Sequence, residues 1–380
     1  MKPTFKITVS SPEGGNTQDI TGAIEERLIE VSVHDQIGMR NDRLTIHIDD
    51  RVTLDGGLIT LPQKGFIFDV EMGYIPSAGH DNPYDGTESL GTFVLDEMEL
   101  EKSERGRTVA ITGHGLDMTA NKLKEQHTTA FMFTTLGKVV DAVCKKSGMD
   151  AIVDLGRKEV PIARAYQICE SDIFFLVRLG KQYGCTVKVQ EGKVYFAPQD
   201  TIDELQDLVK EDITIDETDT TGFHYLTQGA GKFSSVTARY FDYDSADGSG
   251  YSTVTVDAPT EEGDKSDGPV AELQRLYANS TEASEAAQTR IDILARSLDT
   301  FSFNCYGNPL LLSGGTLDLT GFRPEIPTEW KIVKVVHSFT SGGYLCDVDC
   351  ELPKSGYKHR KRTKKVRLGT KPLSTIPRAK

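Results

Sequence analysis

Residues 91–111 read GTFVLDEMELEKSERGRTVAI, and residues 328–348 read TEWKIVKVVHSFTSGGYLCDV. Laid over each other at a spacing of 237 positions, Phe93 meets Trp330, Leu95 meets Ile332, Met98 meets Val335, Gly106 meets Gly343 and Ile111 meets Val348, without a gap. Identity is nearly nil, so what matches is pattern: an apolar strand, a turn that carries glycine, a second strand. Near-alternating apolar positions on both arms put one face against a core, which is the signature of an antiparallel hairpin. We read the pair as a duplication of one barrel unit, although any two hairpins of equal arm length share such a pattern.

Outward from the first hairpin, the chain to residue 115 is strands and turns. Leu44, Ile46 and Ile48 alternate with polar neighbours, as do Phe66, Phe68, Val70 and Met72. Residues 1–115 are therefore expected to form a first β-barrel. The period then changes. Leu136, Val139, Val140, Val143 and Cys144 fall on one helical face, with Thr134 or Thr135 to cap it and Gly148 to end it. A second helix follows Ser171 and stops at Gly184. Its run Ile173-Phe174-Phe175-Leu176-Val177 is apolar almost all round, which predicts burial on every side. Val187 and Val189 then face Val194 and Phe196 across Glu191-Gly192, a hairpin with a short turn. Residues 116–200 read as a small α/β domain. Strands return at Val236, Ala238 and Tyr240 and at Val254 and Val256, within an acidic, Gly/Ser-rich stretch. One helix over about 281–298 carries an apolar stripe through Ala283, Ala287, Ile291 and Leu294, with Ser280 or Thr281 as its cap. Residues 201–353 are expected to form the second barrel, and 354–380 a basic tail. The fold class expected is β-rich α+β.

Charge separates that tail from the rest. Lys354 to Lys380 hold 11 of the 43 basic residues and no acid, leaving 32 basic against 57 acidic residues in the body. Such a body repels phosphate and is a poor general binder of nucleic acid. No apolar run is long enough to span a membrane. Met1 to Ser10 lacks the apolar centre of a signal peptide, so synthesis and residence in a cytoplasm are expected. The six cysteines are scattered and form no C-x-x-C pair; we read them as reduced thiols, mostly in cores. Cys346 and Cys350, four apart on one strand face, would lie about 13 Å apart, beyond the reach of a disulfide.

No motif for chemistry survives its spacing test. Gly229-Ala230-Gly231-Lys232-Phe233-Ser234 resembles a phosphate loop, but Leu226 stands where the first glycine belongs and Phe233 follows the lysine. The eight histidines have no metal-ligand spacing. His114, between two glycines, reads as a turn residue. The pairs Asp49-Asp50 and Asp96-Glu97 are strand neighbours that point to opposite faces, so neither is preset to act as a glycosidase pair; Asp49-Asp50 reads as a strand end shaping a turn. No catalytic, cofactor or metal residue is expected. The sharpest local feature is the run Lys358, Arg360, Lys361, Arg362, Lys364, Lys365 and Arg367. It is open to three readings: an acidic protein partner, a solvated tail, or nucleic acid or membrane.

Four segments in order now carry a resemblance. They are Leu44–Asp50, Gly91–Glu97, Glu170-Ser171-Asp172 with Phe175, Leu179 and Tyr183-Gly184, and Leu319–Glu325 with Trp330. Together, from about residue 25 to 353, they resemble the phage late-control protein D family of contractile-tail baseplate hub proteins, and the N-terminal hub part of type VI secretion spike proteins. The resemblance implies two related, tail-tube-like barrels flanking a small α/β domain, and a homotrimer whose six barrels form a pseudo-sixfold ring. It implies as partners the tail tube or tube-initiator subunits, a trimeric spike and other baseplate proteins, and no catalytic residues or cofactors. Nothing after residue 353 reads as an OB domain or a needle, so the spike is expected to be a separate chain. The basic tail lies outside the resemblance and would reach the spike, the tube or the tape-measure protein. DNA would pass through an acidic lumen without specific binding. Two other readings stand beside this one: a host-binding adhesin displaying Tyr74, Tyr84 and Tyr251 in loops, and a tail-associated peptidoglycan hydrolase.

Overall fold

Alternation decides which way each strand faces. In the computed structural model Leu44, Ile46, Ile48, Phe68, Val70 and Met72 point into one core, and their polar neighbours point away. The structure describes residues 2–353 apart from 13–16, 38–41, 52–57, 77–84, 105, 116–121, 191–192, 199–200, 202–212, 229–232, 243, 246–247, 259–267 and 297; beyond 353 it describes Val366–Arg367 alone. The first barrel holds β1 (Lys2–Ser10), β2 (Gln18–Asp19), β3 (Leu28–Gln36), β4 (Arg43–Asp49), β5 (Ile67–Ile75), β6 (Gly86–Ser103) and β7 (Gly106–Gly115), with a short helix α1 (Thr21–Glu25). The second holds β13 (Ile213–Asp216), β14 (Thr220–Thr227), β18 (Asp299–Tyr306), β19 (Thr316–Thr320), β20 (Glu329–Thr340) and β21 (Gly343–Glu351). Their strands join in one sheet whose main path runs β14-β18-β21-β20-β3-β4-β7-β6-β5-β1-β2.

The duplication is written in the ladders. In β6–β7, Ser103 lies opposite Gly106, Met98 opposite Ile111 and Leu95 opposite Gly113, with a register shift between Leu95 and Glu97. In β20–β21, Thr340 lies opposite Gly343, Val335 opposite Val348 and Ile332 opposite Cys350, with a shift between Ile332 and Lys334. Each of these positions is displaced by the same 237 residues. The flanking strands agree. Ile46 faces Ile111 and Phe303 faces Val348; Phe68 faces Phe93 and Leu317 faces Trp330. A second irregularity, between Leu28 and Glu30 on β3, recurs between Thr220 and Gly222 on β14. Thus β3 to β7 correspond in chain order to β14 and β18 to β21. Hairpins that match by chance share arm length; they do not share four ladders and the positions of two bulges.

Two further layers stand off this sheet. Between the barrels, β8 (Gln126–Thr135) pairs with β10 (Pro161–Ser171), and β9 (Asp150–Val153) runs parallel to β12 (Lys193–Ala197), which forms a hairpin with β11 (Thr186–Gln190). Helices α2 (Leu136–Lys146), α3 (Leu155–Lys158) and α4 (Asp172–Tyr183) complete this layer, which has its own core. Between β14 and β18, at the place of the β3–β4 connection, sit β15 (Ser235–Phe241), β16 (Tyr251–Asp257), β17 (Val270–Tyr277) and α5 (Ser280–Arg296). They form a separate three-stranded sheet with a helix against it and a small core of their own. Asn279 caps α5, its side chain accepting from Glu282 N at 2.9 Å, one position before the expected Ser280 or Thr281.

Helix α4 departs from its sequence pattern. Ile173, Phe175, Leu176, Leu179 and Tyr183 are buried on one face, but Phe174 is 68% exposed, so the helix is one-sided and not enclosed. Its ends are as expected: Ser171 accepts from Phe174 N at 3.3 Å, and Gly184 takes the left-handed conformation.

The buried side chains of both barrels form one continuous apolar cluster, from Phe5 to Ile111 and from Ile213 to Cys350. Two barrels that share a core and a sheet unfold together. The only tryptophan, Trp330, lies in the second barrel. Ile111→Ala in the first barrel removes a fully packed side chain at a cost of about 2–5 kcal/mol. It should lower the urea midpoint followed by Trp330 fluorescence by that free energy divided by the denaturant slope. An unmoved tryptophan transition would mean that the barrels unfold independently.

Candidate functional site

The feature that sets this fold apart is the joint between its halves. β3 of the first barrel runs antiparallel to β20 of the second, with Val33 opposite His337, Val31 opposite Phe339 and His34 opposite Val336. Among the described residues, side chains of the first barrel reach across. Asp35 accepts from Ser313 N and from Ser313 Oγ, both at 2.6 Å. Tyr74 Oη donates to Gly307 O at 2.8 Å, and Phe5 meets Phe339 edge-on at 4.8 Å. Gly307 has no room for a side chain: a Cβ there would lie 2.0 Å from the Tyr344 ring. The chain at Gly307–Ser313 is thus held from both barrels at once.

Under the joint lies a buried polar cluster. His337 Nδ1 is 2.7 Å from Tyr344 Oη and 3.3 Å from Cys346 Sγ, and its Nε2 is 3.0 Å from Leu311 O. A histidine and a cysteine at this distance look like a nucleophile and its base. Both are wholly buried, however, so no substrate reaches the sulfur. The cluster satisfies polar groups that the joint encloses. Among the described residues no group of three or more His, Cys, Asp and Glu is placed to hold a metal. No helix among them is long and apolar enough to cross a membrane.

One carboxylate at the joint is held against its ordinary charge. Asp42, at the entry to β4, accepts from Gln36 N at 3.2 Å. Burial first, and the neighbouring Asp35 second, push its carboxyl up from 3.8 to about 7, with Lys188 opposing. Between those two values the folded chain holds a proton that the unfolded chain has lost, so stability falls as pH rises through that window. Asp42→Asn removes the ionisation. Its urea midpoint should exceed the parent's at pH 8, and the difference should vanish on approaching pH 4; equal midpoints at both pH values would refute the assignment.

The segments singled out in sequence turn out to be framework. Asp50, almost fully buried, accepts from Arg107 Nε at 3.1 Å and Nη2 at 2.9 Å, which ties the end of β4 to the β6–β7 turn. Asp49 accepts from Arg51 N at 3.0 Å, the strand-end turn expected. In Glu170-Ser171-Asp172, Glu170 pairs with Arg178, Ser171 caps α4, and the wholly buried Asp172 accepts from Gln167 Nε2 at 2.7 Å and Ser147 Oγ at 3.2 Å. In Leu319–Glu325, Gly321 turns at φ +78°, with Asp216 Oδ2 2.9 Å from where a Cβ would stand. Asp216 also accepts from Thr320 Oγ1 at 3.1 Å. Phe322 packs edge-on against Phe301 and Phe223, and Trp330 Nε1 donates to Pro327 O at 2.6 Å.

Two readings need correction. His114 is no turn residue; it lies within β7 opposite Val94 and Arg43. Its neighbour Gly113 is small because a Cβ there would come within 3.1 Å of Phe93 Cβ. Tyr74 is not displayed in a loop; it is buried in β5 and spent on the joint, whereas Tyr251 is exposed. Tyr84 and the glycine-rich Gly229–Lys232 lie outside the described residues. So do Lys358, Arg360, Lys361, Arg362, Lys364 and Lys365 of the basic run. Arg367 falls in β22 (Val366–Arg367), whose backbone runs parallel to Ile213–Thr214 of β13. Five cysteines are buried and Cys169 is exposed.

With the geometry in place, the comparisons with known proteins agree. Residues 106–343 match the family model described as phage tail baseplate hub (GPD). The probable baseplate hub protein of Escherichia phage 186 is 25% identical over 384 residues, covering 93% of each chain. That of Escherichia phage P2 is 24% identical over 368 residues, covering 89% of this chain and 91% of its own. The 43 kDa tail protein of prophage MuSo2 from Shewanella oneidensis has the same fold, with a TM-score of 0.63 at 16% identity over 91% of this chain and 98% of that one.

Proposed function

This chain belongs to the phage tail baseplate hub family, a structural component of the virion's tail, and we propose that it acts as a homotrimer joining a hexameric tail tube to a separate trimeric spike. The observation that carries the reading is the duplication. One chain presents two barrels with the same ladders and the same bulges. Three chains then present six near-equivalent barrels in a closed ring, sixfold towards the tube and threefold towards the spike. The work is mechanical, and no residue is assigned to catalysis. The acidic body suits a lumen through which DNA passes without sticking. Assembly takes place in the host cytoplasm, with other baseplate proteins and the tape-measure protein as neighbours. The purified chain should show three times its 41.8 kDa mass by light scattering. A strict monomer at high concentration would refute the trimer.

The basic run has a place in the same reading. We assign Lys358, Arg360, Lys361, Arg362, Lys364 and Lys365 to an acidic protein surface, on a copy of this chain or on the spike or tube. Replacing these six by glutamine should leave the unfolding transition unchanged and reduce incorporation into baseplates. The loss should be largest at low ionic strength, because salt screens such contacts beyond about 10 Å at 0.1 M. Unchanged incorporation at low salt would make the run a solvated extension.

A further inference from the structure

The joint inside one chain specifies a joint between chains. β20 is flanked on one side by β21; on its other side β19 covers Glu329–Lys331 and β3 covers Lys334–Thr340. Its counterpart β6 is flanked on one side by β7; on its other side β5 covers Thr87–Val94. Among the described residues no strand covers β6 from Glu97 to Lys102, the stretch equivalent to the one that receives β3. At the far end of the sheet, β14 is the counterpart of β3. It pairs with β18 as β3 pairs with β4, and no described strand takes its other side. Each chain therefore carries one joint made and the two halves of the same joint unmade.

Exposure tells the same story at matched positions. Val31 on β3 is fully buried, while its counterpart Phe223 on β14 is 39% exposed. His337 on β20 is fully buried, while its counterpart Leu100 on β6 is 57% exposed. Both exposed residues stand on the core-facing side of their strands, where Met98 and Tyr225 still pack against the core. An uncovered edge with apolar residues on its inner face is a template for a further strand.

We propose that β14 of one copy pairs antiparallel with Glu97–Lys102 of β6 in the next copy, in the register of the intrachain joint. Carrying that register across the duplication places Glu99 opposite Leu226, Leu100 opposite Tyr225 and Glu101 opposite His224. Inner faces meet inner faces; a slip of one residue would set Leu100 against a residue that points outward. Glu97, Glu99 and Glu101 meet a strand without an acidic residue, so no like charges are set against each other. The contact is heterologous, so copies add head to tail until the rotation closes a ring. The proposal rests on the hub reading for the number of copies, but not for the pairing itself.

The test uses the full chain with Cys169→Ser as background, since Cys169 is the exposed cysteine. Under mild oxidation, Glu99→Cys with Leu226→Cys should give interchain disulfides that build to a closed trimer on a non-reducing gel. An equal mixture of the two single variants should stop at dimer. Glu101→Cys with His224→Cys serves as a second in-register pair if the first folds poorly. Glu97→Cys with His224→Cys is four residues out of register, about 13 Å at strand rise, and should give at most about a tenth of the yield because a disulfide cannot span that distance. A threefold mass with no in-register excess would overturn the pairing and leave the trimer standing. In-register disulfides in a ring of another size would support the pairing and overturn the trimer. A monomer without interchain disulfides would overturn both.

Discussion

Everything in this molecule leans on the antiparallel pairing of β3 with β20. A sheet edge leaves backbone donors and acceptors unpaired, and each barrel has such an edge. Where the two edges meet within the chain, Val33 faces His337 and Val31 faces Phe339, and the sheet runs on from one barrel to the other. A linker would let the barrels swing. A shared ladder fixes their angle, and the contacts of Asp35 with Ser313 and of Tyr74 with Gly307 fix it a second time from the side. The proposed ring would need that rigidity, because an error in the angle accumulates around a ring and prevents its closure.

The outer layers are attached chiefly to each other. The β15–β17 sheet and α5 enter where the second barrel has room for a long connection, and they bind mainly to the α/β layer. Arg157 pairs with Glu285 at 2.7 Å, Ala163 N donates to Glu282 at 3.2 Å, and Arg275 donates to Gln182 at 2.6 Å. Gly184, at the end of α4, sits so close to Thr289 of α5 that a Cβ would come within 2.8 Å of its hydroxyl. The two layers thus brace each other. Their own cores mean that they need not share in the barrels' cluster.

How much of this was legible in the sequence follows from how local each signal is. Alternation at Leu44–Ile48 and helical spacing at Leu136–Cys144 depend on neighbours within one element, and both elements formed. The displacement of 237 residues was visible because hairpins carry their register in the spacing of apolar residues. The counterparts of β3, β4 and β5 were not visible, because the connections between them differ in length and no single displacement aligns them. His114 misled because glycines on both sides suggest a turn, when here one of them makes room for Phe93. Tyr74 misled because its partner, Gly307, lies in the other barrel and nothing local marks it. Helix α4 misled because composition cannot show that Phe174 stands on the exposed side of the helix.

The two barrels share almost no residues, yet they share a register to the single position. Phe93 stands where Trp330 stands and Met98 where Val335 stands, so volumes changed while the direction of every side chain held. Strand geometry explains why. A core tolerates a change of side chain if its neighbours repack, at a cost of about 1–3 kcal/mol for overpacking. A slip of one residue turns a whole strand inside out. The bulges before Glu97 and before Lys334 act as pins, each adding one residue at the same point and so fixing which face the following arm presents. In the second barrel that arm receives β3, and in the first no described strand covers the same arm. The feature the two halves hold in common is therefore the edge by which one barrel takes hold of another.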